Sequence, residues 1–189
     1  MALLLLIRHG ETKWNVEGRW QGQADPPLSA RGREQAREAA EALSRFEFSA
    51  VYSSDLKRAL ETAQVIATRL GLTVVMEPRL REIHLGKWQG MLSAGIKAEY
   101  PAEFERWHSA PLSVRPPEGE DLFALEARVL AAINDIVMHH AGQRVAVVSH
   151  ELPIAIVRCR AAGFGLEHLR EWIPGNATWE EVNLTGTFS

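Results

Sequence analysis

Cysteine is almost missing from this chain. Cys159 is its one thiol, which excludes an internal disulfide and any multi-cysteine metal centre and agrees with a reducing, cytoplasmic setting. A small buried hydrophobe is the ordinary role of such a residue. An excess of charge of one sign is also lacking. With 21 lysines and arginines against 24 aspartates and glutamates, the formal net charge is −3. The chain therefore has no general attraction for nucleic acid or an anionic membrane, and any anion site must be a local cluster of arginines working against the global sign. Long hydrophobic runs are absent too. The N-terminal run from Leu3 to Ile7 has no basic residue before it and is stopped by Arg8. That is short of the roughly 7–15 apolar residues of a signal segment and the roughly 20 of a membrane span, so nothing in it directs export. No internal repeat, low-complexity tract or linker interrupts the 189 residues. They suffice for one substantial core, and one domain spanning 1–189 is expected.

What the chain does have is apolar strands that end in charged residues. Leu3-Leu4-Leu5-Leu6-Ile7 lacks polar alternation and fits a strand covered on both faces, as in a parallel α/β sheet, whose functional groups gather at the carboxyl ends of strands. Arg8 and His9 stand at that end, followed by Gly10. The guanidinium offers a planar fork of donors suited to phosphate or carboxylate, and the glycine lets a ligand approach closely. Arg144-Val145-Ala146-Val147-Val148-Ser149-His150 repeats the arrangement, with Pro153 starting the next helix. Between them, Ser49 to Ser53 reads as another strand. Ser54-Asp55 then caps a helix with the stripe Leu56, Leu60, Ala63, Ile66 or Ala67, and Leu70. Arg58 falls in its first turn, where the helix dipole disfavours a cation unless an anion is bound in front of it. Side chains at strand ends of one parallel sheet converge on one rim, so His9 and His150 are expected to face each other beside Arg8 and Arg58.

The connecting segments supply the remaining candidates. Lys13 to Pro27 reads as a long loop beside the rim, with Asn15, Arg19 and Gln21 as donors and Trp20 as a wall. Ser29 caps a helix ending near Leu43, Leu72 to Met76 forms a third strand, and Leu80 to Gly90 is a glycine-punctuated loop with Glu82 and His84 as its titratable groups. Glu82 has Leu80, Ile83 and Trp88 near it, surroundings that can raise a carboxyl pKa towards neutrality. Helical pattern recurs from Ser93 to His108, followed by a proline-rich loop, Pro111 to Gly119. The region around 85–120 therefore reads as a lid-like insertion. Asp121 to His140 is a long amphipathic helix, and Asn176 to Leu184 a final edge strand.

Two arginines, two histidines and a carboxylate at strand ends match the needs of phosphomonoester transfer. Rigid cationic donors stabilise the charge spread over the equatorial oxygens of the transferred group. Neutral His9 is the nucleophile in this reading, protonated His150 holds the oxygens, and Glu82 protonates the leaving alkoxide and then deprotonates the water that cleaves the phosphohistidine. No Walker loop or nucleophile-elbow serine is present, and His150-Glu151-Leu152-Pro153-Ile154 lacks the second histidine of a zincin helix. Zinc on His9, His84, His150 and Glu82 is the rival. It is disfavoured by two arginines crowding the same rim, so no metal or cofactor is expected.

The residues Arg8-His9-Gly10-Glu11-Thr12, Asn15, Gln21-Gly22, Pro27-Leu28-Ser29, Ser53-Ser54-Asp55-Leu56 with Arg58 and Thr62-Ala63, Glu82 with Gly86-Lys87-Trp88, and Val148-Ser149-His150 together resemble the histidine phosphatase superfamily, phosphoglycerate mutase branch. The resemblance spans nearly the whole chain. It implies a three-layer α/β sandwich with a mainly parallel sheet flanked by helices, catalytic roles for Arg8, His9, Arg58, Glu82 and His150, and a substrate lining of Asn15, Gln21 and Gly22, with His84 and Glu151 as further candidates. A small phosphorylated metabolite is the implied substrate, with no nucleic-acid or membrane partner; a homodimer is the default assembly.

Two departures stand out: Gln89 where members commonly carry Glu, and Glu151-Leu152 where they carry Gly-Gly. Glu151 is expected to disfavour highly anionic substrates. It could also pair with the ammonium of an amino-acid phosphate, unless it only satisfies the helix dipole. A phosphatase is expected rather than a phosphoglycerate mutase, because the stretch from Glu82 to His150 and the C-terminus are too brief for extra elements that shield a phosphohistidine from water. Phosphoserine and α-ribazole phosphate are the named alternatives, and a weakly active protein-binding module is the alternative of another class.

Overall fold

A computed structural model describes residues 2–184 and 186–188. In chain order the elements are β1 (Ala2–Arg8), α1 (Lys13–Glu17), α2 (Ala30–Leu43), β2 (Ala50–Ser53), α3 (Lys57–Leu70), β3 (Val74–Met76), α4 (Ser93–Glu99), α5 (Pro101–Ser109), α6 (Leu122–His139), β4 (Arg144–Ser149), α7 (Glu151–Ala161) and β5 (Trp179–Leu184). The strands form one sheet in the order β3-β2-β4-β1-β5. Four run parallel, and β5 alone is antiparallel, along β1. The fold is the mixed α/β architecture expected, a mostly parallel sheet flanked by helices.

The lack of polar alternation in β1 has the anticipated cause. Leu4 and Leu6 pack with α6 and α7 residues such as Val129, Ile133 and Ile156 on one face, while Leu5 and Ile7 pack with α2 and α3 residues such as Leu43, Ala63 and Ile66 on the other. Leu4, Leu5 and Ile7 are completely buried, and burial of each such side chain contributes about 1.5–3 kcal/mol. This double burial fixes the strand's position, because a one-residue slip would exchange the two faces.

Register then aligns the strand ends. Arg8 lies opposite Ser149, and Ser53 opposite Val148. The next amides continue the ladder, His9 N donating to Ser149 O at 3.1 Å and Ser54 N to Val148 O at 3.0 Å. His9, Ser54 and His150 are thereby set side by side where the sheet stops.

Several local expectations need correcting. The segment after Thr12 is not all loop: α1 forms because Thr12 and Asn15 make a reciprocal capping box and Gly18, at φ 69°, ends the turn. Five residues without an apolar stripe leave no periodic signal. Neither Ser54 nor Asp55 caps α3. Its N-cap is Leu56, which has no capping side chain, and Asp25 from the 13–27 segment accepts the Lys57 amide at 2.7 Å instead. Asp55 is taken by Arg81 at 2.6 and 2.5 Å. Helix α7 begins at Glu151, two residues ahead of Pro153, with His150 as its N-cap, and β3 spans only Val74–Met76 of the expected strand. Within 85–120, Trp88, Ile96 and Val114 are buried in the core that α6 and α7 share.

Candidate active site

His9 is 3 % exposed at the end of β1. Its ring Nδ1 lies 2.7 Å from Gly10 O. A carbonyl can only accept, so Nδ1 carries the proton and Nε2 keeps its lone pair. Burial, with the Arg58 and Arg8 guanidiniums nearby, holds this imidazole well below its usual pKa, so it is neutral. The turn behind it is tight. A Cβ on Gly10 would sit 2.4 Å from Gly32 O, and the Gly10 amide is received by Thr62 Oγ1 at 3.1 Å.

Arg58, 1 % exposed in the first turn of α3, aims Nε at His9 Nε2 across 3.2 Å. Its Nη1 and Nη2 donate to Ala24 O at 2.8 Å and Gly22 O at 2.7 Å. Gly22 reaches this position with φ 53°, in the left-handed region that suits glycine. Burial lowers the Arg58 pKa to about 10, with Glu82 and Asp25 opposing the shift. The cation therefore persists at neutral pH.

Arg8 donates from Nη1 to Pro174 O at 2.6 Å and pairs through Nη2 with Glu151 Oε2 at 2.6 Å. Its Nε is buried with no hydrogen-bond partner among the described residues. Such an orphaned donor beside a neutral nucleophile fits an anionic oxygen.

His150 is fully buried behind His9, the ring centroids 5.1 Å apart. Its Nε2 meets Ser54 Oγ at 2.8 Å, and Nδ1 has no partner among the described residues. Burial first, then Arg58 and His9, hold its pKa well below the usual value. The imidazolium expected from the sequence is therefore not the resting form, because four cationic or potentially cationic neighbours, Arg58, His9, Arg8 and Arg128, oppose a further charge. Only an incoming anion would restore it.

Glu82 completes the group. Oε1 accepts from the Ile83 amide at 2.9 Å and Oε2 from the Leu152 amide at 3.4 Å. Burial, followed by the charge of Glu151, raises this carboxyl to about 6, the range of a general acid working near neutrality. Its main chain is pinned by a residue the sequence reading missed. Arg128 of α6 donates to Arg79 O, Arg81 O and Glu82 O at 2.8, 2.6 and 2.8 Å, while Glu120 holds the same guanidinium at 2.5 Å. Nothing in the amphipathic pattern of α6 distinguishes Arg128 from a solvated arginine.

Arg8, His9, Arg58, Glu82, Asn15, Gln21, Gly22 and Glu151 all line one cavity of about 550 Å³. His84 does not. It is half-buried, and its amide donates to Glu120 Oε1 at 2.8 Å, which ties it to the 120s rather than to the cavity. Trp107, Leu122, Leu166 and Leu169 form an apolar wall that the sequence reading did not find. Trp20 contributes to the cavity and packs edge-on against Trp88 at 5.7 Å and Trp107 at 5.9 Å. Among the described residues, no group of three or more histidine, cysteine, aspartate or glutamate side chains is arranged to hold a metal ion, and no helix is long and apolar enough to cross a membrane.

Comparison with known proteins agrees with this geometry. The family described as histidine phosphatase superfamily (branch 1) matches residues 4–188. Phosphoserine phosphatase 1 of Hydrogenobacter thermophilus is 38% identical over 184 residues, covering 97% of this chain and 87% of that protein. Phosphoglycerate mutase-like protein 4 of Arabidopsis thaliana is 43% identical over 152 residues, 79% of this chain and 66% of that protein. Among solved structures, the α-ribazole phosphatase of Shigella flexneri superposes with a TM-score of 0.90 at 30% identity, covering 97% of this chain and 91% of that one. The chain belongs to branch 1 of the histidine phosphatase superfamily and is a phosphatase.

Proposed function

We propose that the chain hydrolyses phosphomonoesters of small metabolites through a phosphohistidine on His9, without a metal. The observation that carries this reading is the His9 ring itself, with its proton fixed on Nδ1 by Gly10 O, its Nε2 accepting from Arg58 Nε at 3.2 Å, and its basicity suppressed so that the Nε2 lone pair carries no proton at neutral pH. In the first step Nε2 attacks phosphorus and the P–O ester bond breaks. Glu82, protonated below about pH 6, gives its proton to the departing alkoxide. In the second step the Glu82 carboxylate takes a proton from water as its oxygen attacks phosphorus, the P–N bond breaks, and phosphate leaves with His9 regenerated. Arg58 and Arg8 stabilise the equatorial oxygens, with Arg8 Nε the donor still unengaged. His150, displayed behind His9, gains a proton only with the anion present. Asn15, Gln21 and the Gly22 main chain line the ester, and residues 107–111 of the insertion wall it in.

The names of the relatives favour phosphoserine and α-ribazole phosphate as substrates to try first. The test is turnover of p-nitrophenyl phosphate in EDTA at mildly acidic pH, with rapid quench to trap an acid-labile phosphoryl group on the His9 peptide. A folded protein with no turnover would favour a binding module. Faster interconversion of phosphoglycerates than phosphate release, after priming with a bisphosphate, would make it a mutase.

A further inference from the structure

Glu151 stands where two pieces of the site meet. Because β1 and β4 pair with Arg8 opposite Ser149, the first residue of α7 is carried up against the Arg8 guanidinium, and Glu151 Oε2 lies 2.6 Å from Nη2. The other terminal nitrogen of Arg8 is committed to Pro174 O. Arg8 therefore meets an ester with an Nε that has no partner among the described residues, and with its positive charge already opposed by a carboxylate. One residue further, the Leu152 amide faces Glu82 Oε2 at 3.4 Å, so the same carboxylate also lies next to the acid at the point where the leaving group departs. Glu151 lines the cavity and is about one-third exposed, with a side-chain exposure of 37%. Leu122, Leu166 and Leu169 also line the cavity.

We propose that Glu151 determines specificity in this cavity: by pairing with Arg8 and fixing a negative charge beside Glu82, it selects phosphomonoesters whose leaving group carries no net negative charge near the ester oxygen. A carboxylate or second phosphate there meets the Glu151 charge in a partly desolvated site, while the arginine that would receive it is already paired. An uncharged leaving group escapes that repulsion and can pack on the leucines of the lining. The inference rests on the reading of this cavity as a phosphomonoester site. Glu82 is faced by Arg8 from β1, Arg58 from α3 and Glu151 from α7, with Arg128 of α6 on its main-chain carbonyl. Loss of the Glu151 charge thus removes an anion from that set and releases the Glu82 proton at lower pH.

The experiment pairs ethyl phosphate with phosphoglycolate, esters that differ by one carboxylate, and adds calorimetry of inorganic phosphate, which needs no turnover. The wild type should prefer ethyl phosphate. Glu151→Gln should raise the phosphoglycolate-to-ethyl phosphate ratio of kcat/KM by about tenfold, tighten phosphate binding severalfold, and move the alkaline limb of kcat to lower pH. Glu151→Asp should keep the wild-type ratio. A wild type that prefers phosphoglycolate overturns the proposal whatever the variants do. So does a Glu151→Gln variant with unchanged ratio and unchanged phosphate affinity. If neither ester is turned over, the hydrolase reading fails, and calorimetry alone decides this one: equal phosphate affinity of wild type and Glu151→Gln overturns it.

Discussion

At one end of the cavity, the groups with chemistry other than Glu82 come from the last residue of a strand, the residue after it, or the first turn of the helix that follows. Arg8 and His9 end β1, His150 follows β4, and Arg58 opens α3. At the other end the wall is gathered from α5, α6 and the 3₁₀ segment Leu166–Trp172, places far apart in sequence and joined only by packing. The first end is held by a ladder whose register admits no small adjustments. The second is held by side-chain contact, which tolerates substitution of similar volume. A fold built this way keeps one chemistry and varies what it acts on.

The comparison breaks most sharply at His9. His9→Ala should leave the circular dichroism spectrum unchanged, abolish acid-labile phosphorylation, and lower turnover by at least about a thousandfold. Phosphorylation that persisted in this variant would transfer the nucleophile to His150. Next in size is Glu82→Gln, expected to cost about a hundredfold or more with an alkyl phosphate and less with p-nitrophenyl phosphate, whose leaving group needs no proton. In the wild type kcat/KM should fall as pH rises through about 6, because burial and Glu151 keep the proton on Glu82 only up to that point. The variant should lack this limb, and a limb that survives would place the acid elsewhere.

A smaller effect is expected from Arg128→Met, which removes the donor to the carbonyls of Arg79 and Arg81, leaves Glu82 O with Gln23 Nε2, and leaves Glu120 with the His84 amide but no guanidinium. It should lower thermal stability by about 1–3 kcal/mol. The kcat for alkyl phosphates should fall more than for p-nitrophenyl phosphate, because the acid, not the nucleophile, is displaced. The smallest change should come from the packed end. Leu169→Ala should raise KM several-fold for an aryl phosphate and leave methyl phosphate nearly unaffected, as steady-state assays of both would reveal. Equal changes in both substrates would remove Leu169 from the leaving-group wall.

The same division explains how much could be read from the sequence. Arg8-His9-Gly10, Ser53-Ser54 with Arg58, and Ser149-His150 are contiguous, and strand ends of a parallel sheet are known to converge, so the sheet and the phosphate end were legible together. Glu82 was legible as a candidate through its apolar neighbours, though the amides that hold it, from Ile83 and Leu152, come from segments about seventy residues apart. Trp107, Leu122 and Leu169 carried no signal, since an apolar residue lining a cavity looks like one lining the core. Arg128 gave none because its partners are carbonyls. His84 was misleading: proximity to Glu82 in sequence does not place it in the cavity, because its main chain is drawn to Glu120 instead.

The borrowed cap of α3 makes one backbone amide a reporter. The Lys57 N–H is satisfied by Asp25, and Arg58 holds the carbonyls of Gly22 and Ala24, so the 22–25 segment cannot lift away without uncapping the helix and releasing the guanidinium that faces His9. Opening of that segment and fraying of the helix are thus a single event. Hydrogen exchange at Lys57 measures its frequency, and phosphate, by anchoring Arg58, should slow that exchange without touching Lys57 itself.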